Sequence, residues 1–253
     1  MKSVVCSFSN FSLLQDDSDS NLYLIEYKIS CKILLYSICH ILNDNSNDKK
    51  SVLKNDFKCI SFSAKKVQTL ELHLMEREKN MGLPTLSYNP SLALLSTIDN
   101  QNDFLVKNGL SIFCIRLKDI LVINDSIFIF INPENITPVD VMGKISFLSP
   151  FSRRGFCSPE ILAIQSLPCK INKATYYYSL GALLTFCITN KNICEICELN
   201  SDLDSDLNFV VDENTGIYKH IIQYLKPISH TKLYWTILRL LPINPDKRRA
   251  IFV

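Results

Sequence analysis

Asp119 and Asn132 flank a β-rich stretch and are side chains that suit a divalent cation. The stretch reads RLKDILVINDSIFIFINPE over residues 116–134, and Asn132 follows Asp119 by thirteen residues. Carboxylate and amide oxygens are ligands that Mg²⁺ accepts in proteins. The charge of this pair therefore permits weak Mg²⁺ binding, which is the first chemistry to test against the structure.

Cys194 and Cys197 have the spacing of a metal-binding pair, in the sequence CEIC. A structural zinc site needs a second such pair, or two histidines at ligand spacing. Of the four histidines, His220 and His230 come nearest in sequence, and neither lies at such a spacing. We interpret the two cysteines as helix or loop residues and predict no metal site and no cofactor.

An acidic segment runs from Ile193 to Tyr218 and contains no Lys, Arg or His. Its seven acids are Glu195, Glu198, Asp202, Asp204, Asp206, Asp212 and Glu213. Apolar residues from Leu203 to Val211 interleave with them, so the segment could attract and seat a basic amphipathic peptide. A solvated acidic loop between helices is the simpler interpretation of the same residues.

The elements that would position these residues are clearest after residue 90. PSLALLSTIDNQNDFLVKNG (90–109) predicts a helix that ends at Gly109, and DILVI and SIFIFI, joined by Asn-Asp, predict a β-hairpin. ATYYYSLGALLTFCIT (174–189) is apolar nearly all round, which is typical of a buried helix. GIYKHIIQYLK and HTKLYWTILRLL then predict two amphipathic helices.

Residues 1–90 give weaker signals. LYLIEYKISCKILLYSICHIL (22–42) is a helix-length apolar run between two polar, turn-rich segments. FKCISFSAKKVQTLELHLMEREKN (57–80) indicates a strand followed by a charged helix. We therefore expect a divergent N-terminal region over residues 1–90.

The composition bounds the class of protein. With 253 residues, 47% hydrophobic and 21% charged, the chain has the profile of a folded protein. A net charge of +2 argues against nucleic acid as a partner. The ten cysteines are scattered and most sit in apolar runs, which favours reduced thiols. The apolar run of residues 29–42 is too short, and too interrupted by Lys32 and His40, to span a bilayer. We expect a cytoplasmic protein.

Four motifs follow one another in the order found in protein kinases. They are NGLSIFCIRLKDILVINDSIFIFINPE (108–134), CSPEIL (157–162), YYYSLGALL (176–184) and INPDKRRAI (243–251). The first aligns without a gap from the end of the catalytic-loop helix to the Asp-Phe-Gly turn, and the second matches the Ala-Pro-Glu motif. About 160 residues of the chain thus resemble the C-terminal lobe of protein kinases.

The resemblance does not extend to the catalytic residues. Cys114 stands at the position of the catalytic Asp, Asp119 at the metal-binding Asn, and Asn132 at the metal-binding Asp. No glycine precedes Gly82, so the glycine-rich loop that phosphoryl transfer needs is lacking. The resemblance therefore implies a protein without kinase activity.

Positions of structural importance in the family are kept. Arg248 stands where the family pairs an Arg with the glutamate of the Ala-Pro-Glu motif, here Glu160. Gly181 keeps a small residue on the central buried helix. The resemblance implies that these three residues support the scaffold.

Among kinase-like proteins, the chain is most similar to the KIND domain, the kinase non-catalytic C-lobe domain of spire-type actin nucleators. SPEILAIQSLPCKINKATYYYSLGALL carries this likeness, with an apolar run at the former catalytic loop. The expected fold class is mainly α (α+β). It is a protein kinase-like fold with a helical C-lobe and a short β-hairpin over residues 91–253, and with an N-lobe that is degenerate or missing over residues 1–90.

The resemblance implies a non-catalytic interaction module that binds a peptide segment of a cytoskeletal or signalling partner. In the spire case the peptide is a basic formin tail held by an acidic groove, and the acidic residues between Ile193 and Tyr218 would provide such a surface here. The alternative is a divergent Ser/Thr kinase or a nucleotide-binding pseudokinase that uses Asp119.

Overall fold

A computed structural model describes residues 2–44, 51–54, 57–193 and 211–249. These residues form two compact units, each built from several stretches of chain. The first comprises Met1–His73, Ala93–Leu110 and Leu117–Ile136, and the second comprises Leu74–Leu92, Ser111–Arg116 and Thr137–Val253.

The strands are β1 (Lys2–Ser7), β2 (Phe11–Asp16), β3 (Leu22–Tyr27), β4 (Val52–Lys54), β5 (Cys59–Ser63), β6 (Val67–Thr69), β7 (Leu110–Ile112), β8 (Ile120–Ile123), β9 (Ile127–Phe130), β10 (Ile136–Pro138), β11 (Lys144–Phe147) and β12 (Cys169–Asn172). The helices are α1 (Lys32–Asp44), α2 (Leu70–Met81), α3 (Tyr88–Lys107), α4 (Pro159–Leu162), α5 (Thr175–Thr189), α6 (Lys219–Leu225) and α7 (Lys232–Leu240).

An antiparallel sheet in the order β1-β2-β3-β5-β4 forms the frame of the first unit. Leu13 lies opposite Ile25, which in turn lies opposite Ile60, and none of the three is exposed. Such cross-strand apolar rows fix the register, because a slip of one residue would turn them to the other face. Helix α1 contacts this sheet and buries Leu35 and Ile38 completely.

The predicted β-hairpin is confirmed. Strands β8 and β9 pair antiparallel, with Ile120 opposite Phe130, and β6 extends them to a three-stranded sheet. Asn124 and Asp125 join them with positive φ values of 51° and 58°, the geometry of a type I′ turn. The strand pairing brings Asp119 and Asn132 together at the end of the hairpin that lies opposite the turn.

The helix-length apolar run of residues 22–42 is not one helix. Its first part is β3 and its second part belongs to α1, with a bend at Lys28–Cys31 between them. Strand β3 pairs with β2 on one side and β5 on the other, so its backbone hydrogen bonds are satisfied by residues distant in sequence. That pairing overrides the local apolar pattern.

The expected fold class is therefore wrong. The chain is α+β, and residues 1–90 carry a five-stranded sheet and the helices α1 and α2 where a degenerate or missing N-lobe was predicted. The described residues do not establish a protein-kinase fold. The error arose because the N-terminal strands, three to six residues long, alternate weakly between apolar and polar side chains.

Helix α5 lies at the centre of the second unit and confirms the predicted buried helix, since eleven of its fifteen residues are buried. Added at Gly181, a Cβ atom would lie 2.9 Å from the Cβ of Leu240 and 2.9 Å from the Cδ2 of Leu241. Only a residue without a side chain permits this approach of α5 to the end of α7.

The two predicted amphipathic helices correspond to α6 and α7. Helix α7 buries Leu233, Ile237 and Leu240 on one side. In the part of the chain that the structure describes, no helix has both the length and the apolar character that crossing a bilayer requires.

Candidate functional site

Asp119 and Asn132 meet at the open end of the β8–β9 hairpin. The Asn132 side chain donates from Nδ2 to Oδ1 of Asp119 over 3.1 Å, and Asn135 donates from Nδ2 to Oδ2 over 3.0 Å. All three side chains are buried, with at most 3% of each residue exposed. Each oxygen of the Asp119 carboxylate thus accepts an amide hydrogen inside the fold.

This geometry favours a structural role for the pair over cation binding. A Mg²⁺ ion would have to displace two amide donors from a buried carboxylate and recruit further oxygen ligands. Within the described residues, no group of three or more His, Cys, Asp or Glu side chains is placed to hold a metal ion. Asn135, which the sequence analysis missed, completes the arrangement.

The turn that follows β9 is held by side chains from distant parts of the first unit. Asn132 caps it by accepting from the backbone N–H of Glu134 over 3.0 Å, with Pro133 at the first position of the turn. The carboxylate of Glu134 accepts from Oγ of Ser9 over 2.8 Å and from Nδ2 of Asn10. The sequence Asn-Pro-Glu-Asn was the signal for this capped turn.

Two more buried side chains complete the backbone hydrogen bonds at the end of β9. Gln101 donates to the carbonyl of Phe130 and accepts from its N–H, each over 2.8 Å. The hydroxyl of Tyr27 donates to the carbonyl of Ile131 over 2.8 Å. Burial, and to a lesser extent the charge of a Cys31 thiolate, raises the pKa of Tyr27 well above its usual value.

Cys114, at the position of the catalytic Asp in the kinase pattern, lies in the hydrophobic core of the second unit. Its Sγ is 2.9 Å from Sγ of Cys157, and the two thiols donate to the carbonyls of Arg154 and Arg153, each over 3.3 Å. Both cysteines are at most 1% exposed. A thiol enclosed in this way cannot reach a substrate hydroxyl.

Aromatic rings close the space around this thiol pair. Phe113 packs edge-on against Phe147 and Phe151, with ring centroids 5.0 and 5.5 Å away. Ile145 and Ile161 belong to the same apolar cluster. Residues that would line a catalytic loop in the kinase pattern are here part of the core.

Glu160 and Arg248, which the sequence analysis expects to pair, form a bidentate ion pair. The guanidinium donates to the two carboxylate oxygens over 2.5 and 2.9 Å, and the Arg248 side chain is completely buried. It also donates to the carbonyls of Pro242, Ile243 and Ala174. This pair joins α4 to the segments that precede α5 and follow α7.

Ser179 connects the segment after Cys114 to α5. Its hydroxyl accepts from the N–H of Ile115 over 3.0 Å and donates to the carbonyl of Phe156. Ile115 and Phe156 also form an isolated antiparallel bridge. The residue after Cys114 is therefore fixed on both sides by hydrogen bonds.

Glu195, Glu198, Asp202, Asp204 and Asp206 lie outside the described residues, as do Cys194 and Cys197.

Asp212 and Glu213 are described and lie in a turn between residues 211 and 218. The N–H and hydroxyl of Thr215 each donate to Asp212 over 2.9 Å, which lowers the pKa of Asp212. Glu213 is exposed.

Comparison with known proteins gives no match, either to a protein-family model or to a curated protein.

Proposed function

We propose that this chain is a non-catalytic protein-interaction module that binds a peptide segment of a cytoskeletal or signalling partner. The observation that carries the proposal is the enclosure of Cys114 with Cys157 in the core. At this position a kinase requires an exposed carboxylate that accepts the proton of the substrate hydroxyl. A buried thiol provides neither the charge nor the access.

The other kinase positions support the same proposal. The carboxylate of Asp119 accepts hydrogen bonds from two buried side-chain amides, so it has a structural role inside the fold. Because no glycine occurs before Gly82, the chain also lacks the glycine-rich loop whose backbone approaches phosphate groups closely.

A basic peptide of the formin-tail kind is the partner that the acidic segment favours. The seven acids between Ile193 and Tyr218 are not offset by any Lys, Arg or His in that stretch. The hydrogen bonds from Thr215 lower the pKa of Asp212, which keeps that carboxylate ionised at neutral pH. Ionised carboxylates among apolar residues would both attract a basic peptide and seat its apolar side chains.

Anisotropy of a labelled Lys/Arg-rich peptide with interspersed leucines tests this proposal. Substituting Asp202, Asp204 and Asp206 together by Asn is expected to weaken binding about tenfold, or about 1.4 kcal/mol. The matched control substitutes Asp16, Asp17 and Asp19 by Asn, which removes the same charge from the segment around the β2–β3 turn. The control is expected to keep the wild-type affinity.

Unchanged binding of the basic peptide in the first triple variant would contradict the proposal that the acidic segment binds it.

A thermal-shift titration with ATP and Mg²⁺ tests the non-catalytic part of the proposal, and we expect no stabilisation. Clear stabilisation that Asp119→Ala abolishes would instead support a nucleotide-binding pseudokinase or a divergent kinase.

A further inference from the structure

Helix α7 has a row of residues on its solvent-facing side to which the proposed function assigns no role. Lys232, Trp235, Thr236 and Arg239 follow at intervals of three, one and three residues, which places them on one side of the helix. Trp235 is 58% exposed and is the single tryptophan of the chain. Tryptophan has a large apolar surface, and its exposure is typical of residues that a partner covers.

The stripe borders a groove whose second wall is formed by the turn before α6 and the segment after α7. Asn214, Thr215, Leu238, Pro242 and Lys247 line it together with Trp235 and Arg239. A second hollow, between Lys232 and Arg239 on the other side of Trp235, continues the same surface. We call this surface, from Lys232 to Lys247 with Asn214 and Thr215, the Trp235 groove.

Hydrogen bonds hold the walls of the Trp235 groove in place. The N–H of Ile243 donates to the carbonyl of Gly216 over 2.9 Å, which joins the segment after α7 to the turn. Thr215 is fixed by its bonds to Asp212, and the N–H of Arg249 donates to the carbonyl of Arg239 over 3.1 Å. A ligand would therefore meet a formed surface and would not have to order it.

The charged residues among those described as lining the groove are all cationic. Lys232, Arg239 and Lys247 line it, and none of the described residues that line it is acidic. Arg248 is not among them, because its guanidinium is turned inward to Glu160. Cations beside an exposed aromatic ring complement an anionic ligand that also has an apolar group.

We propose that the Trp235 groove binds an acidic peptide segment of a partner protein, with an apolar side chain of that segment packed on the indole of Trp235. Its carboxylates pair with Arg239 and Lys247. Nucleic acid fits less well, because the chain has a net charge of only +2 and the cations are confined to this short groove. Asn214 and Thr215 lie in both the groove and the acidic segment, but Trp235, Arg239 and Lys247 lie outside that segment, so each proposal can fail without the other.

The single tryptophan provides a direct measurement. The probe is a ten-residue peptide of Asp and Glu with one central leucine, titrated into the full chain while Trp235 fluorescence is followed. We expect a saturable change that weakens as salt is added, and no change with the Lys/Arg counterpart of the peptide.

Arg239→Glu combined with Lys247→Glu is expected to weaken binding of the acidic peptide at least tenfold. The control variant, Lys65→Glu combined with Lys79→Glu, makes the same change in net charge at exposed positions elsewhere. It is expected to change the affinity for the acidic peptide less than twofold. Trp235→Ala is expected to weaken binding of a labelled peptide by a similar factor to the charge reversal, with circular dichroism showing that each variant is folded.

Several results would overturn the proposal. They are the absence of binding to the acidic probe, equal binding in the charge-reversed and control variants, tighter binding of duplex DNA or RNA than of the peptide, and self-association of the chain that Trp235→Ala abolishes.

Discussion

Cys114 marks a position at which a carboxylate would be costly. Its Sγ lies beside the thiol of Cys157 and the backbone carbonyl of Arg154, and the surrounding cluster consists of apolar side chains. An ionised group there would lose its hydration and face the carbonyl oxygen of Arg154. The core packing of this site and a catalytic carboxylate are therefore incompatible.

Introducing a carboxylate by Cys114→Asp is expected to destabilise the protein by about 3 kcal/mol or more, because an unpaired buried charge is among the costliest substitutions. Urea unfolding followed by circular dichroism measures the change. Cys114→Ser, which keeps a small hydrogen-bond donor toward Arg154, is the control and is expected to cost about 1–2 kcal/mol. If Cys114→Asp were as stable as the wild type, the argument that the core packing at this site excludes a carboxylate would be wrong.

At the scale of elements, the end of β9 depends on side chains from two other elements. Gln101 of α3 satisfies both backbone groups of Phe130, and Tyr27 of β3 satisfies the carbonyl of Ile131. Buried backbone groups without partners cost free energy, so these bonds stabilise the point at which β9 leads into the capped turn. Tyr27 adds a titratable group to that contact.

Tyr27→Phe is expected to lower the free energy of unfolding by about 1 kcal/mol at pH 8, since it removes one buried hydrogen bond. Burial raises the folded-state pKa of Tyr27 above its unfolded value of about 10, so folding requires the neutral phenol. The free energy of unfolding of the wild type therefore falls by about 1.4 kcal/mol for each pH unit above about 10. Tyr27→Phe has no phenol at this position, so its free energy of unfolding lacks this pH dependence.

In urea unfolding curves the difference between wild type and Tyr27→Phe should consequently stay nearly constant from about pH 8 to pH 9.5 and close between about pH 10 and pH 11. Burial also raises the pKa of the Cys187 thiol, but this residue is present in both proteins and cancels in the difference. A constant difference across this range would mean that the hydroxyl of Tyr27 reaches water.

For the molecule as a whole, the sequence predicted those features that depend on local pattern. The β8–β9 hairpin followed from two β-rich runs around Asn124 and Asp125, and α5 followed from its apolar composition. These signals lie within a few residues of one another, so they predict the local structure without information about distant parts of the chain.

Features that depend on distant residues were missed. Strand β3 was hidden in a helix-length apolar run because its partners β2 and β5 decide its conformation. In the same way, the hydrogen bond from Asn135 to Asp119 and the contact of Cys157 with Cys114 depend on how the chain folds back. The exposed face of α7 was not predicted, because an amphipathic pattern shows which side is buried but not what borders the other side.

Arg248 connects parts of the second unit that are up to 88 residues apart, and its removal tests how far that scaffold depends on one side chain. We expect Arg248→Ala to cost about 3–5 kcal/mol, because Glu160 loses its partner and three backbone carbonyls lose a donor. Glu160→Gln keeps the shape and one carbonyl acceptor but leaves the buried Arg248 guanidinium without a counter-charge, so we expect it also to cost about 3–5 kcal/mol. Arg248→Lys is expected to stay close to Arg248→Ala, since an ammonium group cannot reproduce the bidentate contact or the stacking on Tyr178. Urea unfolding of the three variants measures these differences. Equal stability of the Lys variant and the wild type would show that only the charge of Arg248 matters.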